Sequence, residues 1–378
     1  MAAAVITVTS LGLAAQSPST MPADAAATID AAVEAERLRQ KIPGLAIAAA
    51  VQNRIVFSKA YGTADLEHAV PAKATTAFRT ASVAKPLTAT GVMALVEAGR
   101  IDLDGPIRTY CPTWPDKHPV ITARQLLGHL AGIRHYTRSG ESTGKTHYFT
   151  LADAIGLFKD DPLLHGPGTK YLYSTYGYSL LGCAIEGASG TSYEAFMRER
   201  VFARAGMTRT RLDRVYEIIA DRARGYQILT QAVFDSLPPA VRTFAKAGEV
   251  YNADLHDTSM KVPGGGLVST ADDLVRFGVA LTTGALLGQA AVETMWTVQK
   301  TSDGRKTGAG LGWGVQPPQD GIRKLSHSGN QAGASSVLVI LPEVGVTYAI
   351  MTNLEDAELG ALSRAIANVL RDTFMPKK

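Results

Sequence analysis

Cysteine is almost absent: two residues, Cys111 and Cys183, in 378. That excludes a disulfide-dense scaffold. With no Cys-x-x-Cys pair, no His-Glu-x-x-His and no Cys/His cluster at ligand spacing, no zinc motif is available either, and neither a metal nor a cofactor is expected. Cys111 stands in a Pro-rich loop and Cys183 in an apolar helical stretch, so the expectation is two buried free thiols. A basic block is also missing. Lys and Arg number 38 against 34 Asp and Glu, scattered, with a net charge of +4. Nothing there offers the electrostatic footprint of a nucleic-acid or anionic-membrane binder. No apolar run approaches the roughly 18 residues that span a bilayer. Finally, no Lys or Arg precedes Arg37. Ala2 to Ala15 is small and apolar and breaks at Gln16-Ser17-Pro18-Ser19-Thr20, as the h-region and cleavage zone of an export signal do, but the positive n-region is lacking. Residues 1–22 are read as an export signal or an Ala-rich disordered leader. The first places the protein in the periplasm or outside the cell, the second in the cytoplasm.

What is present is an ordinary globular composition, 46% hydrophobic and 19% charged, long enough for a sizeable core. Helical periodicity covers Asp24 to Gln40 and stops at Pro43-Gly44. Leu45 to Val51 and Ile55 to Tyr61 read as a hairpin. Near the other end Lys324 to Ser328, Ser335 to Leu341 and Val346 to Met351 are strand-like, and Ala357 to Arg371 closes the chain as a helix. Between them the periodicities are helical: Val83 to Ala98, Ala123 to Leu130, Leu151 to Phe158, Ser174 to Ala188, Tyr193 to Ala203 and Ser269 to Leu281. The pattern predicts a mixed α/β (α+β) fold. Residues 23–81 and 310–378 would build one antiparallel sheet from both chain ends, flanked by terminal helices, and residues 82–309 a mainly helical region beside it. A cleft belongs between the two.

Ser82-Val83-Ala84-Lys85 carries the first chemical signal. Residues three apart on a helix share a face, with β-carbons about 5–6 Å apart. A Lys amine made partly neutral by burial or a like charge can take a Ser proton. Ser82 would head the Val83–Ala98 helix, where free N–H groups favour an oxyanion. The pattern alone is weak, since Ser142-Thr143-Gly144-Lys145 also fits; that copy lies in a polar loop. A plain helix N-cap would explain Ser82 as well.

The other blocks add weight: Phe78-Arg79-Thr80-Ala81 before Ser82, Gln125-Leu126-Leu127-Gly128-His129-Leu130-Ala131-Gly132, Pro167-Gly168-Thr169-Lys170-Tyr171-Leu172-Tyr173-Ser174-Thr175, Pro263-Gly264-Gly265-Gly266-Leu267, and His327-Ser328-Gly329. In this order they resemble class C β-lactamases, DD-peptidases and related esterases, over roughly Ile42 to Asn353. Gly132-Ile133-Arg134-His135-Tyr136 and Gly333-Ala334-Ser335-Ser336 are most similar to the mitochondrial serine β-lactamase-like branch and its bacterial relatives.

The resemblance implies the β-lactamase/transpeptidase-like fold, Ser82 as nucleophile, Lys85 as its base, Tyr173 as proton relay and His327 as the third element. It also implies an oxyanion hole of the Ser82 and Asn330 backbone N–H groups. Thr175, Ser328 and Gly329 would line the site, Arg134, His135 and Tyr136 the cleft mouth, and Trp313 either the acyl side or the core. A literal Lys306-Thr307-Gly308 sits in a polar loop and is set aside in favour of His327-Ser328-Gly329, which ends a strand-like run. Two departures bear on specificity. Thr175 stands where the family has Asn, leaving one hydroxyl for an amide. His327 replaces a permanently charged Lys with a group only partly cationic near neutral pH. The expectation is therefore a serine hydrolase working through an acyl-enzyme on small esters, amides or peptides, with weak β-lactam turnover. An efficient β-lactamase or DD-carboxypeptidase is the first alternative, and a catalytically silent or peptidoglycan-binding scaffold the second.

Overall fold

The computed structural model describes residues 20–137, 141 and 144–375; Ser142, residues 1–19 of the leader and residues 376–378 lie outside them. Seven strands form the main sheet: β1 (Gly44–Val51), β2 (Arg54–Asp65), β3 (Val70–Pro71), β4 (Gly314–Gln319), β5 (Ile322–Gln331), β6 (Ala334–Leu341) and β7 (Val346–Thr352). Their spatial order is β3-β2-β1-β7-β6-β5-β4, antiparallel at every step. β1 pairs with β7, Leu45 opposite Thr352 and Val51 opposite Val346, so the two chain ends meet in the middle of one sheet. Gln52 and Asn53 both take positive φ, 46° and 66°, as a two-residue hairpin turn matched to strand twist requires.

Every residue of β1 is buried because the sheet is covered on both faces. Ile47, Val339 and Tyr348 face one core, shared with α1 (Ala23–Arg39) and the C-terminal helix Gly360–Phe374. That helix presents Leu362, Ile366 and Leu370 at spacing four, one turn apart on one face. Ala46, Ala48, Leu338 and Met351 face the second core, shared with the helical layer. The alanines and Gly278 let that layer come close. A Cβ at Gly278, on the helix Ala271–Thr282, would stand 2.6 Å from Thr347 Cγ2 on β7. No helix among the described residues is long and apolar enough to cross a membrane.

The expectation of free thiols is overturned: Cys111 and Cys183 form a disulfide, with Cα atoms 5.3 Å apart. The reason is backbone contact invisible in either local pattern. Gly187 lies on the helix Tyr176–Ser189, one turn beyond Cys183, and a Cβ there would meet Tyr110 O at 1.9 Å. The glycine lets the loop lie flat on the helix and brings Cys111 against Cys183.

Candidate active site

Ser82 sits in a 3-10 turn, Ala81–Val83, that runs directly into α2 (Ala84–Glu97). Ala81 is held at φ 46°, a left-handed conformation costly for a residue with a side chain. Main-chain contacts on two sides hold the turn. Thr80 N donates to Leu267 O (2.9 Å), and Phe78–Arg79 pairs with Leu267–Ser269. On the other side Ser336 Oγ donates to Thr80 O at 2.6 Å, and a Cβ at Gly329 would lie 2.8 Å from Ser82 N and 2.6 Å from Thr80 O. Only glycine at 329 lets β5 reach the Ser82 backbone. β4 stops pairing at Ser326, so residues 327–330 run alongside the Ser82 turn with no strand on that edge.

Lys85 is fully buried, with Nζ 3.0 Å from Ser82 Oγ, 3.1 Å from Thr175 Oγ1 and 2.7 Å from Gly264 O. Among the described residues no carboxylate contacts it. Burial and the nearby Lys261 push its amine far below the ordinary lysine range. The Tyr173 ring lies 4.9 Å from Nζ. Burial raises the pKa of its phenol, an effect that Ser82 and Thr175 partly offset. His327 Nδ1 lies 2.7 Å from Ser328 O, which makes Nδ1–H the donor and leaves Nε2 as an acceptor. Burial and Lys85 push its pKa down to about 3, so the imidazole is neutral at physiological pH. The sequence had expected a partly cationic group here.

Two further histidines form the scaffold of this centre. Ser174 N donates to His129 Nδ1 (3.2 Å), and Thr175 N donates to His135 Nδ1 (3.3 Å). Burial depresses both histidines, His135 to about 4. Kept neutral, they can accept those N–H groups and fix the Tyr173–Thr175 segment. The His129 ring also lies 4.4 Å from that of Tyr173. Lys261 was missed by sequence reasoning. It is 4% exposed, with its ammonium 5.6 Å from the Tyr136 ring centre and its stem near Gly265. Burial and Arg79 lower its pKa to about 7. Its position two residues before the quoted Pro263-Gly264-Gly265-Gly266 block was the available signal.

The structure corrects two expected cleft residues and places Trp313. Arg134 does not line the mouth. Its guanidinium is buried, bidentate on Glu141 (2.9 Å and 2.9 Å) and paired with Asp161 at 2.7 Å, because those carboxylates offer the desolvated charge its partners. Its carbonyl accepts from Ser174 Oγ at 2.8 Å, so its service to the site is structural. Tyr136 is packed between His135 and Tyr176, its hydroxyl sealed from solvent. Trp313 is 2% exposed and parallel to Phe277 at 6.3 Å, a core residue whose edge meets the cleft. The cleft measures ≈290 Å³ and is lined by Tyr173, His327 and Ser328 together with Thr307 and Gly308. The Lys-Thr-Gly segment that the sequence set aside thus shares the wall with His327. Its Thr307 hydroxyl is spent on Gln299 O at 2.9 Å, and Lys306 is exposed.

Fold and cleft together define a serine hydrolase of the β-lactamase and penicillin-binding-protein type. The β-lactamase family profile matches residues 25–371, and the chain belongs to that family. It is 27% identical over 470 residues to the mitochondrial serine beta-lactamase-like protein of Mus musculus, covering 93% of this chain and 82% of the relative. It is 28% identical over 320 residues to penicillin-binding protein 4* of Bacillus subtilis (strain 168), covering 82% of this chain and 68% of the relative. Among solved structures it shares its fold with a D-amino acid amidase from Ochrobactrum anthropi SV3 (TM-score 0.77, 23% identity, 93% of this chain and 99% of that one). The same holds for an octameric penicillin-binding protein homologue from Pyrococcus abyssi (TM-score 0.75, 23% identity, 92% and 76%).

Proposed function

We propose that the protein is an acyl-hydrolase in which Ser82 attacks a small ester, amide or peptide carbonyl and Lys85 is its general base. The observation that carries this is the coordination of the Lys85 amine. A neutral amine has two N–H groups and one lone pair. Gly264 O and Thr175 Oγ1 take the two donors, and the lone pair is left for the Ser82 hydroxyl 3.0 Å away.

As the Ser82 Oγ–carbon bond forms, the hydroxyl proton passes to Lys85, and the carbonyl oxygen gathers charge between the Ser82 and Asn330 backbone N–H groups. The Asn330 side chain is engaged elsewhere, its Oδ1 accepting from Asp356 N at 2.9 Å, which leaves its main chain for that role. Collapse breaks the bond to the leaving group. Tyr173, whose phenol burial keeps protonated, donates the departing proton, and the ammonium that Lys85 became in the first step returns one to it. Water then resolves the acyl-enzyme by the same steps reversed.

Two features favour simple esters and amides over efficient penicillin turnover. His327 is neutral and so offers no cation to a penicillin carboxylate. Thr175 spends its hydroxyl on Lys85 rather than on a substrate amide. The Cys111–Cys183 disulfide supports an oxidising compartment, hence a periplasmic or secreted protein.

The test is p-nitrophenyl acetate hydrolysis by the wild type and Ser82→Ala. A loss of roughly 10³-fold or more is expected on removing a nucleophile; equal rates overturn the assignment.

A further inference from the structure

Behind the nucleophile turn lies a cluster of charges that does not balance. The buried carboxylate of Asp213 serves two guanidiniums, Arg79 Nε at 2.7 Å and Arg222 Nη2 at 3.3 Å. Arg79, three residues before Ser82, also donates to Ala332 O and to His256 O, each at 3.0 Å. Lys261 is close enough to Arg79 for the like charge to lower its pKa. Buried charges are stable only when paired, and here the surplus is positive.

A cavity of ≈580 Å³ opens on this cluster, lined by Arg79, Arg222 and His256. That volume is within the roughly 300–1,000 Å³ of small-molecule sites. Two of the lining side chains hold buried nitrogen atoms with no hydrogen-bond partner among the described residues: Arg222 Nε and both ring nitrogens of His256. The other end of Arg222 is engaged, Nη2 donating to Arg214 O at 2.7 Å. His256 is 2% exposed. Burial, Lys261 and Arg79 push its pKa down to about 3, outweighing the Gly144 main chain and Asp257. The ring is therefore neutral and offers one N–H. Buried donors left unpaired are costly, and that cost is recovered when an acceptor arrives. Two carboxylates also line the cavity. Asp257 is held by His147 and Ser259 N, each at 2.8 Å, and Asp254 is exposed. Phe78, Val215, Ala223 and Leu255 supply apolar wall. The cavity shares no lining residue with the cleft of Tyr173 and His327.

We propose that this cavity is a binding site for a small organic carboxylate, whose two oxygens take the free N–H groups of Arg222 and His256 and whose apolar body lies along Phe78 and Leu255. The site is separate from the Ser82 chemistry, so either reading can fail without the other.

Isothermal titration of phenylacetate into the full chain tests it. Phenylacetamide is the uncharged twin, and inorganic phosphate is an anion without an apolar body. The wild type should take up one phenylacetate, with the amide and phosphate each roughly tenfold weaker or worse. His256→Leu and Arg222→Met should each weaken phenylacetate binding by about tenfold. Tyr173→Phe, in the cleft, should bind as the wild type does. Melting temperatures report folding. If Arg222→Met melts far below the wild type, His256→Leu carries the test, because it removes no hydrogen bond. No saturation up to about 10 mM, or unchanged binding in His256→Leu, overturns the site. Loss of binding in Tyr173→Phe places the ligand in the cleft and overturns it as well. Amide or phosphate binding as tight as that of phenylacetate overturns the organic carboxylate.

Discussion

At the scale of single residues, the chemistry turns on keeping an amine neutral. Among the described residues Lys85 has no carboxylate partner; it is fully buried and has Lys261 nearby as a like charge. Both factors disfavour the protonated amine, so the proposed base is ready above its depressed pKa and is lost as pH falls through it. Lys261 itself carries charge below about 7 and loses it above. Its repulsion therefore acts on the acid side of the profile. Lys261→Met removes a positive neighbour, so the pKa of Lys85 rises and the acid limb of kcat/KM moves to higher pH, whereas Lys261→Arg leaves the limb near its original place. A pH profile of ester hydrolysis for the three proteins checks this, and coincident limbs would show that Lys261 has no electrostatic role. His129, His135 and His327 also face this centre, but all three are held neutral over the working range and contribute no competing titration.

At the scale of elements, β5 and the Ser82 turn work as one unit, and Gly329 is the joint. Its missing Cβ is what admits the Ser82 and Thr80 main chains, the limiting contacts being backbone atoms that cannot swing aside. Gly329→Ala should displace the turn, and misplacement of about 1 Å costs on the order of 10²-fold. Circular dichroism would stay native-like while kcat/KM falls by that factor; retention of full activity would show that the joint is looser than the contacts imply. The strand and its motif were readable in the sequence because Lys324 to Ser328 has strand character and His327-Ser328-Gly329 closes it. The scaffold around Tyr173 was not. His129 and His135 act by accepting main-chain N–H groups from a segment about forty residues away, a role no local pattern encodes. Arg134 misled for the same reason. A solvated Arg-His-Tyr loop and a buried Arg clamped by Glu141 and Asp161 read alike until the distant carboxylates are in place.

At the scale of the molecule, hydrophobic alternation and helical period were enough to predict a sheet built from both chain ends, since β1 and β7 are strongly apolar and the intervening helices are well punctuated. Alternation does not disclose which loops touch which helices, and so Cys111 and Cys183 were read as separate thiols. Their bond closes a loop spanning 72 residues within the helical region. Linkages of this kind contribute about 2–4 kcal/mol. For a chain of this size reduction should lower Tm by roughly 3–5 °C. Calorimetry with and without reductant, alongside a thiol count of zero in the native protein, checks the bond; two reactive thiols in the untreated protein would refute it.

The central claim is that Ser82 becomes covalently acylated. A fluorophosphonate probe incubated with the full chain, followed by proteolysis and mass spectrometry, tests it in one step. The account predicts a single adduct on the peptide bearing Ser82, abolished in Ser82→Ala and slowed strongly in Lys85→Met. An adduct on Ser142 instead, or equal labelling of the wild type and Ser82→Ala, would contradict it.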